Sequence, residues 1–324
     1  MKCRGFSLMS GGLDSQLAVR VLERAGAEVE AICFSSPFFS PDTAIQSAKA
    51  LGIKLNVIDF TDDVISLIES PKHGFGGAMN PCIDCHSMMI RRAGELMVER
   101  GFDFIATGEV MGQRPMSQNK QSLGIVERDS GLKGRLVRPL SAKLLEPTIP
   151  EEDGLLDREK LLDIQGRGRD RQIQLAEEFG IVEYPSPAGG CKLTEEGFCR
   201  KLKDLKDHET LAERRLVELL AIGRRFRLPG GSSVILGRDR CDNALLKGEK
   251  GDVILAPVNC PGPTALVPSL KCEADLELAA ELVCSYSKYD RLIGDIVVQI
   301  FPEGAAKAVP RPYVREKFKE FQIC

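Results

Sequence analysis

Short apolar runs alternate with amphipathic segments over the first two hundred residues. The runs at 28–34, 54–60 and 103–106 predict strands, and the helical periodicity of 43–51 and 87–100 predicts helices. Strands and helices that alternate in this way form a parallel sheet covered by helices. Such a sheet binds its ligand beyond the carboxyl ends of the strands. The pattern therefore predicts an α/β domain with a ligand site at that edge.

The last third of the chain has a different order of elements. Charged helical periodicity runs from 195 to 226 and is broken by the Leu-Pro-Gly-Gly sequence that follows. A strand, a Gly-Arg turn and a helix are predicted over 233–246, then a strand at 252–257 and a helix at 274–287. Earlier in the chain, Pro71 and three nearby glycines predict a mobile loop over 69–79.

The length of 324 residues is sufficient for two domains. We expect one domain at 1–195, a connecting helix at 196–227 and a smaller α+β domain at 228–324. No apolar stretch approaches the roughly 20 residues that span a bilayer, and the first strand begins too early for a signal peptide. We therefore expect a cytoplasmic protein without membrane association. The net charge of -3 argues against general attraction to nucleic acid, so any RNA contact must use a local basic patch.

A glycine pair stands between the apolar run at 6–9, which predicts the first strand, and the first predicted helix, at 14–24. Glycines allow the backbone to turn tightly and approach an anion, and the amides that open a helix attract it. The segment lacks the lysine of a Walker A sequence, so a transferable terminal phosphate is not the obvious ligand. A plain turn with a helix N-cap is the alternative. The predicted phosphate cradle consists of Ser10, Gly11, Gly12, Leu13, Asp14 and Ser15.

The sequence SGGLDS of this cradle resembles the PP-loop of the N-type ATP pyrophosphatases. The resemblance implies the adenine nucleotide alpha hydrolase-like fold, a parallel sheet with helices on both faces. It also implies ATP and Mg²⁺ as ligands and transfer of AMP to a carbonyl oxygen of the substrate, with Asp14 helping to organise the metal and the pyrophosphate.

Three cysteines form the second chemical signal among the eleven of the chain. Cys82 and Cys85 are separated by two residues, and Cys191 follows a distant glycine pair at 189–190. This spacing allows three thiolates to meet at one metal, which leaves an open position on an iron-sulfur cluster. The alternatives are a persulfide relay through Cys191 and one of the pair, a zinc site with His86, a redox pair, and ordinary buried thiols.

The segment that follows the strand at 103–106 is rich in polar residues, and an exposed loop is the simplest interpretation. It resembles the second ATP-site signature of the tRNA 4-thiouridine synthases, the ThiI family, in which an Arg-Pro-Leu strand comes next, as at 138–140 here. The resemblance extends from residue 4 to about 195. It implies that the nucleotide is contacted by Gly108, Glu109, Gln113, Ser117 and Gln118.

The chain departs from that family in two respects. It shows neither the ferredoxin-like and THUMP segments nor the rhodanese domain of typical members. Its Asn-Pro-Cys-x-x-Cys sequence is more similar to the tRNA 2-thiouridine synthases and to archaeal-type cluster enzymes. That similarity implies a [4Fe-4S] cluster on Cys82, Cys85 and Cys191, which then also act in catalysis. We expect 4-thiouridine in preference to 2-thiouridine as the product.

The C-terminal part resembles the RNA-binding domain of the NFACT ribosome-quality-control proteins. The resemblance rests on Gly237, Arg238, Asn243 and Gly262. Arginines in such a cluster also pair with local carboxylates, so each one has a structural alternative. We expect a basic, RNA-binding patch made by Arg224, Arg225, Arg227, Arg238 and Arg240.

Together these features predict an ATP-dependent tRNA sulfurtransferase. It would adenylate a uridine, accept sulfur at the cysteines and release AMP and pyrophosphate. The expected partners are tRNA and a sulfur donor, either sulfide or a desulfurase that carries a persulfide, and a homodimer is left open. Two other classes of protein are kept as alternatives, namely an amidoligase for a small carboxylate or carbonyl compound and a non-catalytic factor that binds RNA or ribosomes.

Overall fold

The computed structural model describes residues 3–186, 190–289, 294–302 and 304–323. The chain divides into two compact units, Met1–Thr194 and Glu195–Cys324, which are described separately below. In the described parts, no helix combines the length and apolar character that crossing a membrane requires.

The first unit contains a parallel sheet. Among the described residues it has five strands in the order β3-β2-β1-β4-β5. The chain moves outward from β1 to β3 on one side and returns to β4 on the other, so the switch point of the topology lies between β1 and β4. The predicted α/β sheet is confirmed. The strands are β1 (Arg4–Leu8), β2 (Glu28–Ser35), β3 (Leu55–Asp59), β4 (Phe104–Ala106) and β5 (Leu136–Val137).

Helices flank this sheet. The helix predicted to begin at 87 begins five residues earlier, because Pro81 occupies its N-cap and Cys82 starts its first turn. The segment between the third and fourth helices forms neither helix nor strand. The helices are α1 (Leu13–Arg24), α2 (Asp42–Leu51), α3 (Thr61–Glu69), α4 (Cys82–Glu99), α5 (Lys120–Ser130), α6 (Ile149–Glu152) and α7 (Asp170–Glu178).

Apolar burial holds α1 against the sheet. Leu17 and Val21 lie one turn apart on α1 and are fully buried in one cluster with Ala31 of β2 and Phe104 of β4. Burial of a side chain of this size contributes about 1.5 to 3 kcal/mol. The packing fixes the start of α1 next to the carboxyl end of β1.

The second unit is built on an antiparallel sheet. In its described part, seven strands follow the order β11-β10-β8-β9-β7-β6-β12. Four helices accompany the sheet in the same residues, which confirms the predicted α+β class. The strands are β6 (Arg224–Arg227), β7 (Ser233–Leu236), β8 (Val253–Pro257), β9 (Ala265–Val267), β10 (Ile296–Phe301), β11 (Ala305–Val309) and β12 (Gln322–Ile323). The helices are α8 (Glu196–His208), α9 (Arg214–Glu218), α10 (Arg240–Leu245) and α11 (Glu273–Tyr286).

The continuous helical segment predicted over 195–226 is wrong. The helix α8 ends at His208, and residues 224–227 form β6. The chain enters β6 through Gly223, whose φ is +63° and where a Cβ atom would lie 2.5 Å from the carbonyl oxygen of Leu236. Only glycine fits this close turn. The arginines that extended the helical pattern belong to the strand.

A buried group of charges ties α8 to β6. The Arg227 guanidinium lies 2.7 Å from Asp204 and 2.8 Å from Glu209. Arg225 is only 1% exposed and lies 3.5 Å from the same aspartate and 3.4 Å from the same glutamate. Two arginines and two carboxylates therefore neutralise one another in the interior of this unit.

Asp204→Asn should lower the free energy of unfolding by on the order of 3 kcal/mol, because it leaves buried guanidinium groups short of one negative charge. Asp207→Asn serves as the control, since Asp207 lies on the same helix and is exposed. Urea unfolding measures both variants. Equal stability of the two variants would show that the buried charges do not hold α8 to β6.

Candidate nucleotide and thiol site

The loop between β1 and α1 turns tightly next to α2. Gly11 has a φ of +83°, and a Cβ atom there would lie 2.4 Å from the carbonyl carbon of Thr43. Gly12 is the N-cap of α1 and makes no side-chain capping bond, so the first-turn amides of α1 have no partner from a capping side chain. A helix start of this kind attracts anions. The predicted cradle therefore has the backbone geometry of a phosphate site.

Three side chains that sequence reasoning missed hold this loop. The carbonyl oxygen of Gly11 accepts hydrogen bonds from Gln16 Nε2 at 3.0 Å and from Ser47 Oγ at 3.1 Å. Thr43 Oγ1 donates to the carbonyl oxygen of Ser10 at 2.9 Å. Thr43 and Ser47 are four residues apart on α2 and share one face of it, which is the signal that the sequence offered.

The predicted cradle residues do not all face a ligand. The side chain of Leu13 is 2% exposed and belongs to the apolar core, so only its backbone can take part. Ser15 donates its hydroxyl to the carbonyl oxygen of Gly12 at 2.8 Å and thereby supports the turn. Ser10 is exposed at the start of the loop.

The structure places the second predicted ATP-site signature, which begins at Gly108, against the predicted phosphate cradle at 10–15. A Cβ atom on Gly108 would lie 2.7 Å from the backbone of Asp14, so β4 leads directly onto the start of α1. Gln113 Nε2 donates to Asp14 Oδ2 at 3.0 Å, whereas Asp14 Oδ1 is buried and has no hydrogen-bond partner. A buried carboxylate oxygen without a partner is costly unless a ligand satisfies it. Asp14 therefore fits the role of a Mg²⁺ ligand.

Glu109 occupies a buried network instead of an open position. Its Oε2 accepts from Arg138 Nε at 2.9 Å and from Thr107 Oγ1 at 3.0 Å, and its Oε1 lies 3.2 Å from His86 Nδ1. Burial by itself raises the pKa of Glu109, but Arg138 and His86 more than offset it and lower the pKa to about 2. Glu109 is therefore a carboxylate that joins α4 to the segment after β4.

Ser117 and Gln118 lie where this segment folds back. The amide of Gly112 donates to the carbonyl oxygen of Gln118 at 2.7 Å and closes the turn. Both predicted residues are 7% exposed, and Gln118 Oε1 is buried without a hydrogen-bond partner. The simple exposed loop that the sequence allowed is therefore excluded for these two residues.

The three predicted cysteines lie in one neighbourhood. Cys82 and Cys85 are in the first turn of α4, and Asn80 Nδ2 donates to Cys82 Sγ at 3.0 Å. Burial is the largest cause that raises the pKa of Cys85, and the nearby Cys191 and Cys82 add to it. The electrostatic influence of both thiols on Cys85 requires that they lie close to it. His86 follows directly and reaches Glu109, so the thiols adjoin the nucleotide signature.

The segment that carries Cys191 is attached on both sides. Before it, the carbonyl oxygen of Glu183 accepts from Gln16 Nε2 at 3.1 Å, and after it the amide of Lys192 donates to the carbonyl oxygen of Phe38 at 2.9 Å. Of the glycine pair that precedes Cys191, Gly190 is described, and Gly189 lies outside the described residues with Pro187 and Ala188. The backbone next to Cys191 is thereby held at Phe38, just after the carboxyl end of β2.

These thiols are not arranged as a finished metal site. Across the described ranges, no three side chains of His, Cys, Asp or Glu converge in a way that could hold a metal ion. His86, the fourth ligand of the alternative zinc site, instead contacts Glu109. The present placement of the three cysteines therefore does not fit a bound cluster or a zinc ion.

The predicted basic patch is wrong for Arg225 and Arg227. Arg225 and Arg227 are neutralised inside the second unit, as described above, because they pair with carboxylates of α8 and the turn after it. Arg238 lies 2.6 Å from Asp242. Arg240 is exposed at the start of α10, and the Arg224 guanidinium lies 5.2 Å from the Tyr286 ring.

The other residues that suggested an RNA-binding domain have structural roles. Asn243 Oδ1 accepts from the amide of Thr264 at 3.0 Å, and a Cβ atom on Gly237 would lie 2.0 Å from that oxygen. A Cβ atom on Gly262 would lie 2.2 Å from Ser287 Oγ. Both glycines therefore permit close packing of the strand ends.

Two family models match parts of this chain. Residues 1–143 match the model described as thiamine biosynthesis protein (ThiI), and residues 223–307 match the NFACT protein RNA binding domain. A protein named "Probable tRNA sulfurtransferase" from Caldanaerobacter subterraneus subsp. tengcongensis is 31% identical over 142 residues, which are 41% of this chain and 35% of that protein. The tRNA-specific 2-thiouridylase MnmA of Sulfurimonas denitrificans is 33% identical over 112 residues, 31% of this chain and 32% of that protein.

The chain spans about a third of the length of the curated relatives that it matches. A solved 4-thiouridine synthetase in complex with RNA and ATP is 19% identical, with a TM-score of 0.36 over 55% of this chain and 52% of that chain. By the two family models, residues 1–143 are similar to the ThiI family, and residues 223–307 are similar to the RNA-binding domain of the NFACT proteins.

Proposed function

We propose that this protein is an ATP-dependent tRNA sulfurtransferase that converts a uridine to 4-thiouridine. The observation that carries the proposal is the continuous line of contacts from Asp14 through Gly108 and Glu109 to His86, the residue next to Cys85. An activating site and a sulfur site within one neighbourhood are what a thiolation reaction needs. The family relationship of residues 1–143 supports the same activity.

The loop and the start of α1 supply the nucleotide side of the reaction. The phosphates of ATP would bind the α1 amides beyond Gly11 and Gly12, where the backbone approaches closely and the helix dipole is favourable. Asp14 would hold a Mg²⁺ ion with its unpartnered Oδ1, and such an ion neutralises the phosphate charge. Gln113 keeps the other oxygen of Asp14 engaged and so sets the rotamer of its carboxylate.

Adenylation solves a leaving-group problem in the substrate. The carbonyl oxygen of the uridine attacks the α-phosphorus of ATP, and pyrophosphate leaves. The oxygen, which could not depart from the base as it stood, can now leave as AMP. The enzyme groups in this step bind and orient the reactants, which is a large part of the catalysis in phosphoryl transfer.

Sulfur delivery is the role that we assign to Cys82, Cys85 and Cys191. A persulfide on one of these thiols adds its outer sulfur to the activated carbon, and AMP leaves with the oxygen. A second thiol then attacks the inner sulfur, which forms a disulfide and releases the thiolated base. No step here is assigned to a [4Fe-4S] cluster, because the three cysteines do not converge as metal ligands within the described residues.

The substrate and its sulfur donor belong to the same proposal. The second unit would bind tRNA, in agreement with the family model that its residues 223–307 match. A desulfurase that carries a persulfide would transfer its outer sulfur to one of the thiols. Sulfide would serve only by attacking the disulfide left after the transfer step, which gives a persulfide and a free thiol.

A direct test uses tRNA incubated anaerobically with protein, ATP and a cysteine desulfurase with its cysteine substrate, followed by mass spectrometry of its nucleosides and by iron and sulfide assays of the protein. Pyrophosphate release that depends on a small acid instead of tRNA would indicate an amidoligase, and tight RNA binding without any release would indicate a binding factor.

Asp14→Ala should abolish pyrophosphate release that depends on tRNA, because the variant loses the carboxylate expected to hold Mg²⁺. Asp62→Ala, which changes an exposed carboxylate on α3, should keep the wild-type rate. A radiolabelled ATP assay measures both. Release by the Asp14 variant at more than about a tenth of the wild-type rate would contradict the role given to this residue.

Cys191→Ala should preserve pyrophosphate release and remove thiolation, since the thiol acts only after the uridine is activated. The matched control is Cys241→Ala, which removes an exposed thiol of the second unit. Pyrophosphate and thiouridine are measured on the same reaction mixture. Formation of thiouridine at the normal yield by the Cys191 variant would remove this cysteine from the mechanism.

Glu109→Gln should destabilise the protein at neutral pH and lose this effect in acid. The pKa of Glu109 is lowered from 4.5 to about 2, so its stabilising contribution is complete above pH 4.5 and disappears as the pH falls toward 2. Full loss corresponds to on the order of 3 kcal/mol. Urea unfolding at pH 7, 4.5 and 3 measures the difference, with Glu95→Gln on an exposed part of α4 as the control. A difference that stays constant with pH would refute the charged pairing.

A further inference from the structure

Two guanidinium groups lie against one tyrosine ring in the second unit. The Cζ atoms of Arg315 and Arg224 are 4.6 Å and 5.2 Å from the centroid of the Tyr286 ring. Tyr286 is the last residue of α11 and is partly exposed, and the buried Phe226 contacts it edge-on at 6.2 Å. Phe226 therefore holds the ring from the core side, and the two guanidinium groups lie against it near the surface.

A second group of arginine and tyrosine side chains includes Tyr289, three residues after Tyr286. The Arg311 guanidinium lies 5.3 Å from the Tyr289 ring, which meets Tyr313 edge-on at 4.8 Å. The hydroxyl of Tyr313 donates to the carbonyl oxygen of Val309 at 2.7 Å and fixes its ring. Significant cation–π pairs occur about once per 70–80 residues in proteins. Three such pairs on two neighbouring tyrosines therefore mark this surface as unusual.

The arginines of this surface differ in their pairing from three of the arginines in the predicted patch. Arg225, Arg227 and Arg238 each have a carboxylate partner. Within the part of the chain that the structure describes, neither Arg224 nor Arg315 forms an ion pair, so their positive charges are not neutralised. Guanidinium groups without a carboxylate partner can bind phosphates, and the aromatic rings beside them can stack on unpaired bases.

We propose that RNA binds the surface formed by Arg224, Tyr286 and Arg315 together with Tyr289 and Tyr313. The two arginines contact phosphates, and the tyrosine rings provide faces for unpaired bases. The inference rests on the proposed function, in which tRNA is the substrate, and it names where the second unit holds that substrate. Of the arginines that the sequence suggested it keeps Arg224, and it adds Arg315, which lies beyond the segment matched to the RNA-binding family model.

The hydrogen bonds that Arg224 and Arg315 make within the protein do not explain why both lie on the Tyr286 ring. Arg315 Nε donates to the carbonyl oxygen of Ser285 at 2.8 Å, near the end of α11, where a cation is favourable. That bond uses one of the five donors of the guanidinium, and the others are left for a ligand. Arg224 has no such bond to the helix end. Its position on the Tyr286 ring is therefore stronger support for a binding surface than that of Arg315.

The test measures binding of an unmodified tRNA transcript to the full chain by fluorescence anisotropy at several salt concentrations, without ATP or a sulfur donor. Arg224→Gln and Arg315→Gln should each weaken binding and reduce the slope of log K against log salt by about 1, the value expected for one lost phosphate contact. Arg200→Gln on α8 is the matched control, because its side chain is 61% exposed in the same unit. It should leave the slope unchanged.

Two further variants separate binding from folding. Arg315→Lys should restore the salt slope because it keeps the charge, and Tyr286→Leu should weaken binding without a change of slope. Thermal unfolding of each variant verifies that the second unit is folded at the assay temperature. Wild-type slope and affinity in the Arg224 and Arg315 variants, or no tRNA binding by the wild-type chain, would overturn the inference. If the Arg224 and Arg315 variants show the expected loss of salt slope but the wild-type protein makes no thiouridine, the RNA-binding surface is supported and the proposed reaction is rejected.

Discussion

The contact between Gly108 and the backbone of Asp14 is the constraint on which the site depends. No side chain fits between the two segments, so the end of β4 and the start of α1 meet at the switch point of the sheet. This approach allows Gln113 to reach the Asp14 carboxylate, and it places Glu109 where His86 and Arg138 can both bind it. The nucleotide loop and the first turn of α4 are joined through that one point of close packing.

The sequence allowed prediction of the parallel sheet and of the loop after β1, because their signals are local. Apolar runs mark strands that are buried on both faces, and two glycines mark a backbone that must turn. The residues that hold the loop, Thr43 and Ser47, could not be found in this way, because their partners lie more than thirty positions away. Partnerships at such distances depend on tertiary packing and leave little trace in one sequence.

The roles of charged residues were the hardest to predict, since the sequence does not reveal which opposite charges pair with each other. Arg225 resembles a surface cation in the sequence, yet it lies in the interior with two carboxylates that are 16 and 21 residues before it. Glu109 matched a nucleotide signature, but both of its oxygens are engaged by the protein. In each case the partner determines the role, and only the fold reveals the partner.

The amide group of Gln16 has two hydrogens, and it donates one to the carbonyl oxygen of Gly11 and the other to that of Glu183. One rigid planar group therefore joins the glycine turn to the backbone of Glu183, eight residues before Cys191. A displacement of either carbonyl strains the opposite bond, which is worth about 1 kcal/mol when intact. Movements of the backbone at Gly11 and at Glu183 are thus coupled through a single side chain.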